Sequence, residues 1–195
     1  MGQKPIITQK QEALLFRVNA SDYLRSHVYF TGGTVLSAYY LHHRYSDDLD
    51  LFSEEKLDNQ TIFTLVSQWS SELKFTFTTQ TSEVVQMFMV KYADGSEFKI
   101  DFTHYPYTRL EEGMSKGGLS IDSLLDIAVN KVHTIAMKPR ARDFIDIYFI
   151  IKEKGYRFHD LLMKAKAKFD WHIDPIQLGS RLFMAREVKD FSRMI

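Results

Sequence analysis

The sequence predicts a mixed α/β fold (α/β or α+β) in which a mixed β-sheet is flanked by helices and followed by a C-terminal helical part. Three observations predict it. Short apolar runs alternate with helical periodicity before residue 74, three strand-like runs fill residues 74–105, and helical periodicity dominates after residue 120. We therefore expect a core over residues 1–120 and a helical part over residues 121–195 that packs on it.

The first half of the chain alternates helix and strand signals. Five elements are predicted there: a helix over 8–27, a strand over 28–30, a helix over 34–43, a strand over 49–52 and a helix over 57–73. Asp58 is a suitable N-cap for the last of these helices. Glycines at 32 and 33 separate the first strand from the second helix, and a polar turn over 44–48 precedes the second strand.

The middle of the chain is rich in β-strand signals and the remainder is helical. Strands are predicted over 74–79, 84–92 and 97–105, and the tetrapeptide from Ala93 to Ser96 between the last two is typical of a hairpin. Pro106 ends the third strand, because proline cannot donate to a strand ladder. Four helices are predicted over 122–137, 141–154, 158–168 and 175–185.

Composition excludes several classes of protein. The 195 residues carry 25 basic and 25 acidic side chains, so the overall charge does not predict a polyanionic partner. The absence of cysteine rules out disulfides and thiolate metal sites. No apolar run approaches the roughly 18 residues of a membrane span, and the polar N-terminus does not resemble a signal peptide. A cytoplasmic protein without membrane contact is expected.

Two short motifs could bind a metal-complexed phosphate. Gly32-Gly33-Thr34 lies between a strand and a helix, where the backbone can approach a ligand closely, although such a turn is also ordinary chain geometry. Asp48 and Asp50 share one face of a strand and repel each other unless a cation lies between them. Mg²⁺ suits such carboxylates, while an acidic surface turn is the alternative.

Further candidates lie later in the chain. Asp101 alternates with apolar residues on a strand, where it is either solvated or a third carboxylate of a two-metal site. Asp143 and Asp146 share a helical face, and Lys131 on the preceding helix is a candidate charge for a triphosphate. Surface ion pairs between amphipathic helices are the alternative explanation.

The order and spacing of these motifs resemble the AbiEii family, the nucleotidyltransferase-like toxins that include the related MenT proteins. The resemblance runs from about residue 28 to 150, through Gly32-Gly33-Thr34, Arg44-x-Ser46-x-Asp48-x-Asp50, Asp101, Lys131 and Arg142-Asp143-x2-Asp146. It implies the fold of DNA polymerase β-type nucleotidyltransferases.

The resemblance also implies roles for individual residues. Contacts to the triphosphate are implied for Gly32, Gly33, Thr34 and Lys131. Metal binding is implied for Asp48 and Asp50 and, as a looser match, Asp101. The later acidic motif of the family falls on Asp143 and Asp146, and Arg44 and Ser46 are implied to orient the loop or substrate. Thr34 replaces the commoner serine but keeps the hydroxyl.

The implied activity is Mg²⁺- or Mn²⁺-dependent transfer of a nucleoside monophosphate from an NTP to an acceptor hydroxyl. The 3′ end of a tRNA is the suggested acceptor, and a cognate antitoxin is a suggested partner. A phosphate-binding surface or a solvated helix face would explain the basic residues Lys131, Lys138, Arg140, Arg142, Lys152 and Lys154. Two alternatives remain: adenylylation of a small molecule, as in aminoglycoside nucleotidyltransferases, and a catalytically silent binding module.

Overall fold

A computed structural model describes residues 5–172, 174–189 and 191–195, and within these ranges the strands form one mixed sheet. The strands are β1 (Tyr29–Thr31), β2 (Leu49–Ser53), β3 (Phe75–Thr81), β4 (Val85–Tyr92), β5 (Glu97–His104), β6 (Ser115–Lys116) and β7 (Leu119–Ile121). Their order across the sheet is β3-β4-β5-β2-β1-β7-β6. Strand β2 runs parallel to β5 and antiparallel to β1, while β1 runs parallel to β7.

Helices cover this sheet and continue to the C-terminal part. They are α1 (Gln9–Ala20), α2 (Asp22–His27), α3 (Gly32–Val35), α4 (Asn59–Leu73), α5 (Leu124–Met137), α6 (Ala141–Lys154), α7 (Phe158–Phe169) and α8 (Pro175–Phe183). A π-helix over Leu36–Leu41 continues α3, and a 3₁₀ turn over Met184–Glu187 follows α8. The mixed sheet with flanking helices confirms the predicted fold class. No helix among the described residues is both long and apolar enough to traverse a bilayer.

Apolar residues of the central strands form the core that fixes the site. Phe30 on β1, Leu51 on β2 and Ile100 on β5 are fully buried. The register places Thr31 opposite Asp50 and Asp50 beside Asp101. Polar side chains on three adjacent strands therefore meet at one edge of the core.

Most predicted elements are present, including the Asp58 cap, whose carboxylate accepts from the Thr61 amide. The helix predicted over 8–27 is two helices, because Ser21 is extended (φ −81°, ψ 113°) and its side chain caps α2. The helix predicted over 34–43 begins earlier, at Gly32, and ends at Leu41, because the next residue, His42, has a left-handed backbone (φ 54°).

The prediction that the chain turns helical from residue 120 was wrong for its first residues. Strand β7 pairs with β1 through Ser120 and Ile121, and α5 begins only at Leu124. Gly117 (φ +62°) and Gly118 (φ +104°) form the turn between β6 and β7. Strands of two and three residues are too short to show the period-two pattern that predicts a strand.

Candidate active site

Three carboxylates lie at the edge of the sheet formed by β2 and β5. Asp50 is on β2, Asp101 is its register neighbour on β5, and Asp48 lies two residues before Asp50. Leu49, which lies between Asp48 and Asp50, is 1% exposed, as the predicted alternation of buried and cleft-facing side chains requires. The fold thus brings together the three residues that the sequence suggests as metal ligands.

The electrostatics of this cluster favour a cation. The pKa of Asp50 is raised from its ordinary 3.8 to about 6, chiefly by burial; the Lys99 ammonium opposes this rise, and the charges of Asp101 and Asp48 contribute to it. Burial also raises the pKa of Asp101, whose Oδ1 is buried without a hydrogen-bond partner. A positive charge beside these groups would offset both the burial and the mutual repulsion.

The glycine turn lies directly against this cluster. Gly32 has φ +79°, and a Cβ atom built on it would lie 2.1 Å from Oδ2 of Asp50. A Cβ atom built on Gly33 would lie 2.3 Å from the Arg44 guanidinium. Only glycine lets the backbone of this turn approach the carboxylates and the arginine so closely.

Substitution of Gly33 by alanine tests that close approach. The added methyl group collides with Arg44, whose buried guanidinium has little room to move, so we expect a loss of about 1–3 kcal/mol in the free energy of unfolding. We also expect at least tenfold weaker binding of a fluorescent NTP analogue. Gly179→Ala is the matched control, because a Cβ atom there meets nothing within 4 Å. Equal behaviour of the two variants in urea unfolding and NTP titration would contradict the steric argument.

A buried ion-pair network lies behind the turn. Both oxygens of Asp146 accept from Arg44, at 2.6 and 2.9 Å, and His43 Nε2 lies 2.8 Å from Oδ1. The Lys131 ammonium lies 2.8 Å from Asp146 and 2.7 Å from Asp143. Burial alone would raise the pKa of Asp146, but Lys131 and the hydrogen bonds from Arg44 and His43 hold it well below its usual range.

This network changes the roles suggested for the later acidic motif. Asp143 and Asp146 are fully buried and do not line the cleft that contains the carboxylates. Their charges are matched by Lys131 and Arg44, which do line it. Because each aspartate is paired with a cation that lines the cleft, the structure supports positioning roles for both, and the catalytic role suggested for Asp143 and the nucleotide contact suggested for Asp146 stay predictions.

Thr34 also lies beneath the cleft. Its side chain is fully buried, its hydroxyl donates to the backbone oxygen of Asp48, and it lies 3.0 Å from Ser46 Oγ, within hydrogen-bond distance. These bonds fix the loop that carries Ser46 and Asp48. Thr34 is not among the residues that line the cleft, so this placement supports a role in holding the loop, and the triphosphate contact that the resemblance implies stays a prediction.

The cleft itself has a volume of about 380 Å³. The suggested site residues that line it are Gly32, Gly33, Arg44, Ser46, Asp48, Asp50, Asp101 and Lys131. Sequence reasoning missed Lys99 as a lining residue, and it named Arg140 and Arg142, which also line the cleft, only as part of a candidate phosphate-binding surface. Lys99 shares a strand face with Asp101, which was a usable signal, whereas only the tertiary fold brings the two arginines to the cleft.

A second pocket of about 350 Å³ adjoins the cleft. Four residues line both cavities: Arg44, Asp48, Arg140 and Arg142. Its far wall is the C-terminal segment with Phe191 and Arg193. That segment is attached beside Arg44, since the Tyr45 amide donates to the Arg193 carbonyl at 2.8 Å and the Ile195 amide to the His43 carbonyl at 3.1 Å.

The carboxylate cluster is the candidate metal site. Across residues 5–172, 174–189 and 191–195, no group of three or more His, Cys, Asp or Glu side chains is arranged as a ready metal site. The Lys99 ammonium contacts Asp101 and lies 3.9 Å from Oδ2 of Asp48. Asp48 and Asp50 still fit a divalent cation by their chemistry, because both are oxygen ligands that line the cleft and a cation would offset the desolvation that raises the pKa of Asp50.

A protein of Aquifex aeolicus (strain VF5), described as uncharacterized protein aq_aa25, is 27% identical over 143 residues, which cover 72% of this chain and 66% of that protein. The chain thus spans slightly less than two thirds of that relative.

Two crystal structures from Helicobacter pylori share the fold. One is of a proposed nucleotidyltransferase (TM-score 0.57, 17% identity, 95% of this chain and 97% of the other). The other is of the protein JHP933 (TM-score 0.52, 18% identity, 91% of each chain). Residues 13–194 match the family described as nucleotidyl transferase AbiEii toxin, type IV TA system, which confirms the resemblance seen in the motifs. The chain therefore belongs to the AbiEii nucleotidyl transferase toxin family.

Proposed function

We propose that this protein transfers a nucleoside monophosphate from an NTP to an acceptor hydroxyl and releases pyrophosphate. The observation that carries the proposal is the contact between the glycine turn and the carboxylate cluster, where a Cβ on Gly32 would overlap Asp50. A triphosphate lying on the Gly32-Gly33 backbone would thereby be next to any cation held by Asp48 and Asp50. Phosphoryl-type transfers depend chiefly on such positioning and charge neutralisation.

Cationic side chains of the cleft complete the NTP site in this proposal. Arg44 and Lys131 are fixed by the buried aspartates of the network, so their orientation is set before a ligand arrives. Arg142 is 41% exposed in its side chain and lies 3.6 Å from Asp48, so it is free to turn toward a phosphate. The cleft combines fixed and mobile positive charge around one polyphosphate.

Asp48 and Asp50 would hold Mg²⁺ (or Mn²⁺), with Asp101 beside them as their neighbour on β5. The ion would neutralise charge on the triphosphate and on the departing pyrophosphate. Asp101 lines the cleft and has a raised pKa, which suits its carboxylate to accept the proton of the acceptor hydroxyl. The oxygen of the acceptor hydroxyl then forms a bond to the α-phosphorus of the NTP as the bond between that phosphorus and pyrophosphate breaks.

The adjoining pocket supports a nucleic-acid acceptor, and we propose the 3′ end of a tRNA. Arg140, Arg142 and Arg193 supply positive charge, and Phe191 is 56% exposed in a position to stack on a base. The negative charges of the two aspartates in this pocket are balanced by arginines, because Asp47 pairs with Arg193 at 2.7 Å and Asp48 lies 3.6 Å from Arg142. A polycationic aminoglycoside would meet like charge there, which makes small-molecule adenylylation the weaker alternative.

One incubation separates these functions. The protein is mixed with each α-³²P-labelled NTP and Mg²⁺, together with total tRNA in one series and with aminoglycosides in another. We expect label on tRNA and release of pyrophosphate. Label on the small molecule would replace the acceptor assignment, and absence of both label and metal-dependent NTP binding would leave a catalytically silent module.

Replacement of Phe191 tests the acceptor pocket separately. We expect Phe191→Ala to raise the KM for the polynucleotide about tenfold, because stacking on one aromatic ring contributes about 1–3 kcal/mol per base. The KM for the NTP should not change, since Phe191 does not line the cleft. Phe183→Ala is the control, because Phe183 is 67% exposed and lies outside both cavities. Equal KM values for the two variants would remove Phe191 from the acceptor site.

The family description also supports a biological setting for this activity. We propose that the protein acts as a toxin in the cytoplasm, with a cognate antitoxin. Expression of the chain alone should arrest growth, and co-expression of the adjacent open reading frame should relieve the arrest. Harmless expression of a protein that is active in the labelling assay would contradict the toxin role.

A further inference from the structure

The Lys99 side chain occupies a position among the carboxylates that the proposed reaction does not explain. Its ammonium contacts Oδ2 of Asp101 and lies 3.9 Å from Oδ2 of Asp48. The side chain is only 22% exposed, so the ammonium is held within the cluster and is not a solvated surface charge. It lies between Asp101, the carboxylate suggested as a further metal ligand, and Asp48, one of the two aspartates that would hold the divalent ion.

The strand geometry explains this placement. Lys99 and Asp101 are two residues apart on β5, so their side chains point to the same face. Asp50 pairs with Asp101 in the parallel register of β2 and β5. Lys99 is two positions before Asp101, and Asp48 is two positions before Asp50, so the same register places Lys99 alongside Asp48. The lysine side chain is long enough to reach both carboxylates.

Lys99 is also the main positive influence on the cluster. Of the charges that act on Asp50, Lys99 is the largest that lowers its pKa, ahead of Lys131. For Asp101, the hydrogen bond and the charge of Lys99 are likewise the largest influences against the effect of burial. The Lys99 ammonium therefore already neutralises part of the negative charge that a second metal ion would otherwise balance.

We propose that the Lys99 ammonium fills the second cation position of the carboxylate cluster, so that the cleft binds one divalent ion through Asp48 and Asp50 rather than two. The inference rests on the proposed function, because it concerns the metal that this function requires. It modifies the expectation of a two-metal site that includes Asp101. A second ion between Asp48 and Asp101 would have to displace the ammonium from both carboxylates.

The arrangement also gives Lys99 a positioning role. Lys99 holds Oδ2 of Asp101, while Oδ1 of the same carboxylate stays buried without a partner. The contact thereby fixes the orientation of the carboxylate that is proposed to accept the acceptor proton.

Counting bound ions tests this inference. Nucleotide-free protein is titrated with Mn²⁺ at pH 8, and the free ion is measured by electron paramagnetic resonance. We expect one bound Mn²⁺ in the wild-type protein, two in Lys99→Met and one in Lys99→Arg, which keeps the charge. Lys91→Met is the control, because Lys91 is an exposed lysine on neighbouring β4 that does not line the cleft, and it should bind one ion.

Each other result contradicts a different statement. Two ions in the wild-type protein, or an unchanged count of one in folded Lys99→Met, overturns the assignment of Lys99 and leaves the proposed function intact. Absence of bound Mn²⁺ in the wild-type protein, even with an NTP present, overturns the metal-dependent function and the inference with it. Circular dichroism of each variant shows whether the fold is retained.

Discussion

Asp50→Asn is expected to lower the rate of nucleotidyl transfer on the order of 10³-fold while the protein stays folded. The substitution keeps the shape of the side chain but removes the negative charge that would bind the divalent ion, and interactions of this kind act chiefly on developing charge in the transition state. Asp50 faces Gly32 within the cleft and is a register neighbour of Asp101. A folded variant with wild-type activity would exclude Asp50 from the metal site.

The same substitution is expected to stabilise the metal-free protein at neutral pH. The pKa of Asp50 is raised by burial from 3.8 to about 6, so the folded state holds its proton more tightly than the unfolded chain does. Because its pKa is raised in the folded state, protonated Asp50 contributes to the free energy of unfolding; this contribution is complete below about pH 4 and is lost as the pH rises through about 6. Asn carries no charge and avoids that loss.

Thermal unfolding in EDTA measures this effect. At pH 7.5 we expect Asp50→Asn to have a higher Tm than the wild-type protein, by about 2–4 °C for each 1 kcal/mol gained in the free energy of unfolding. The difference should shrink as the pH falls toward 4. A variant that is less stable than the wild-type protein at pH 7.5 would show that the Asp50 charge is well compensated in the folded state, against the burial argument.

Asp146→Ala is expected to cost about 3–5 kcal/mol in the free energy of unfolding. Asp146 is fully buried and accepts from Arg44 and His43 while it pairs with Lys131. Its removal leaves two cationic side chains buried with fewer partners, which is far more costly than the loss of an exposed ion pair. NTP binding should fall as well, because Arg44 and Lys131 line the cleft.

Urea unfolding of Asp146→Ala and of a surface control measures the cost. Asp160→Ala is the control, because Asp160 pairs with Arg157 at 2.8 Å on the surface, where ion pairs contribute little. We expect a large decrease in the midpoint for Asp146→Ala and almost none for Asp160→Ala. Similar midpoints for the two variants would mean that the network does not support the fold.

The part of the site that lies on the central strands could be predicted because its pattern is local. Period-two alternation places Asp48 and Asp50 on one face, and the glycine turn between a strand and a helix is visible in the sequence. The adjacency of Asp101 follows once β5 is placed beside β2, which the strand signals suggest but do not prove. The short strand β7 carries no such pattern and was missed.

The distinction between residues that contact a ligand and residues that position them could not be predicted from the sequence. Asp143 and Asp146 belong to the same motif as Arg142, yet only Arg142 lines the cleft while both aspartates are buried. That difference depends on how α6 packs against α5 and against the segment carrying Arg44. Likewise, Phe191 and Arg193 reach the site only because the C-terminal segment pairs beside Arg44, a contact across about 150 residues of sequence.

A crystal structure with Mn²⁺ and a non-hydrolysable NTP, with the ions located by anomalous diffraction, tests the central claim most directly. We predict an anomalous peak within coordination distance of both Asp48 and Asp50, and a triphosphate on the backbone of Gly32 and Gly33. Mn²⁺ or the triphosphate bound away from those aspartates and glycines would contradict it.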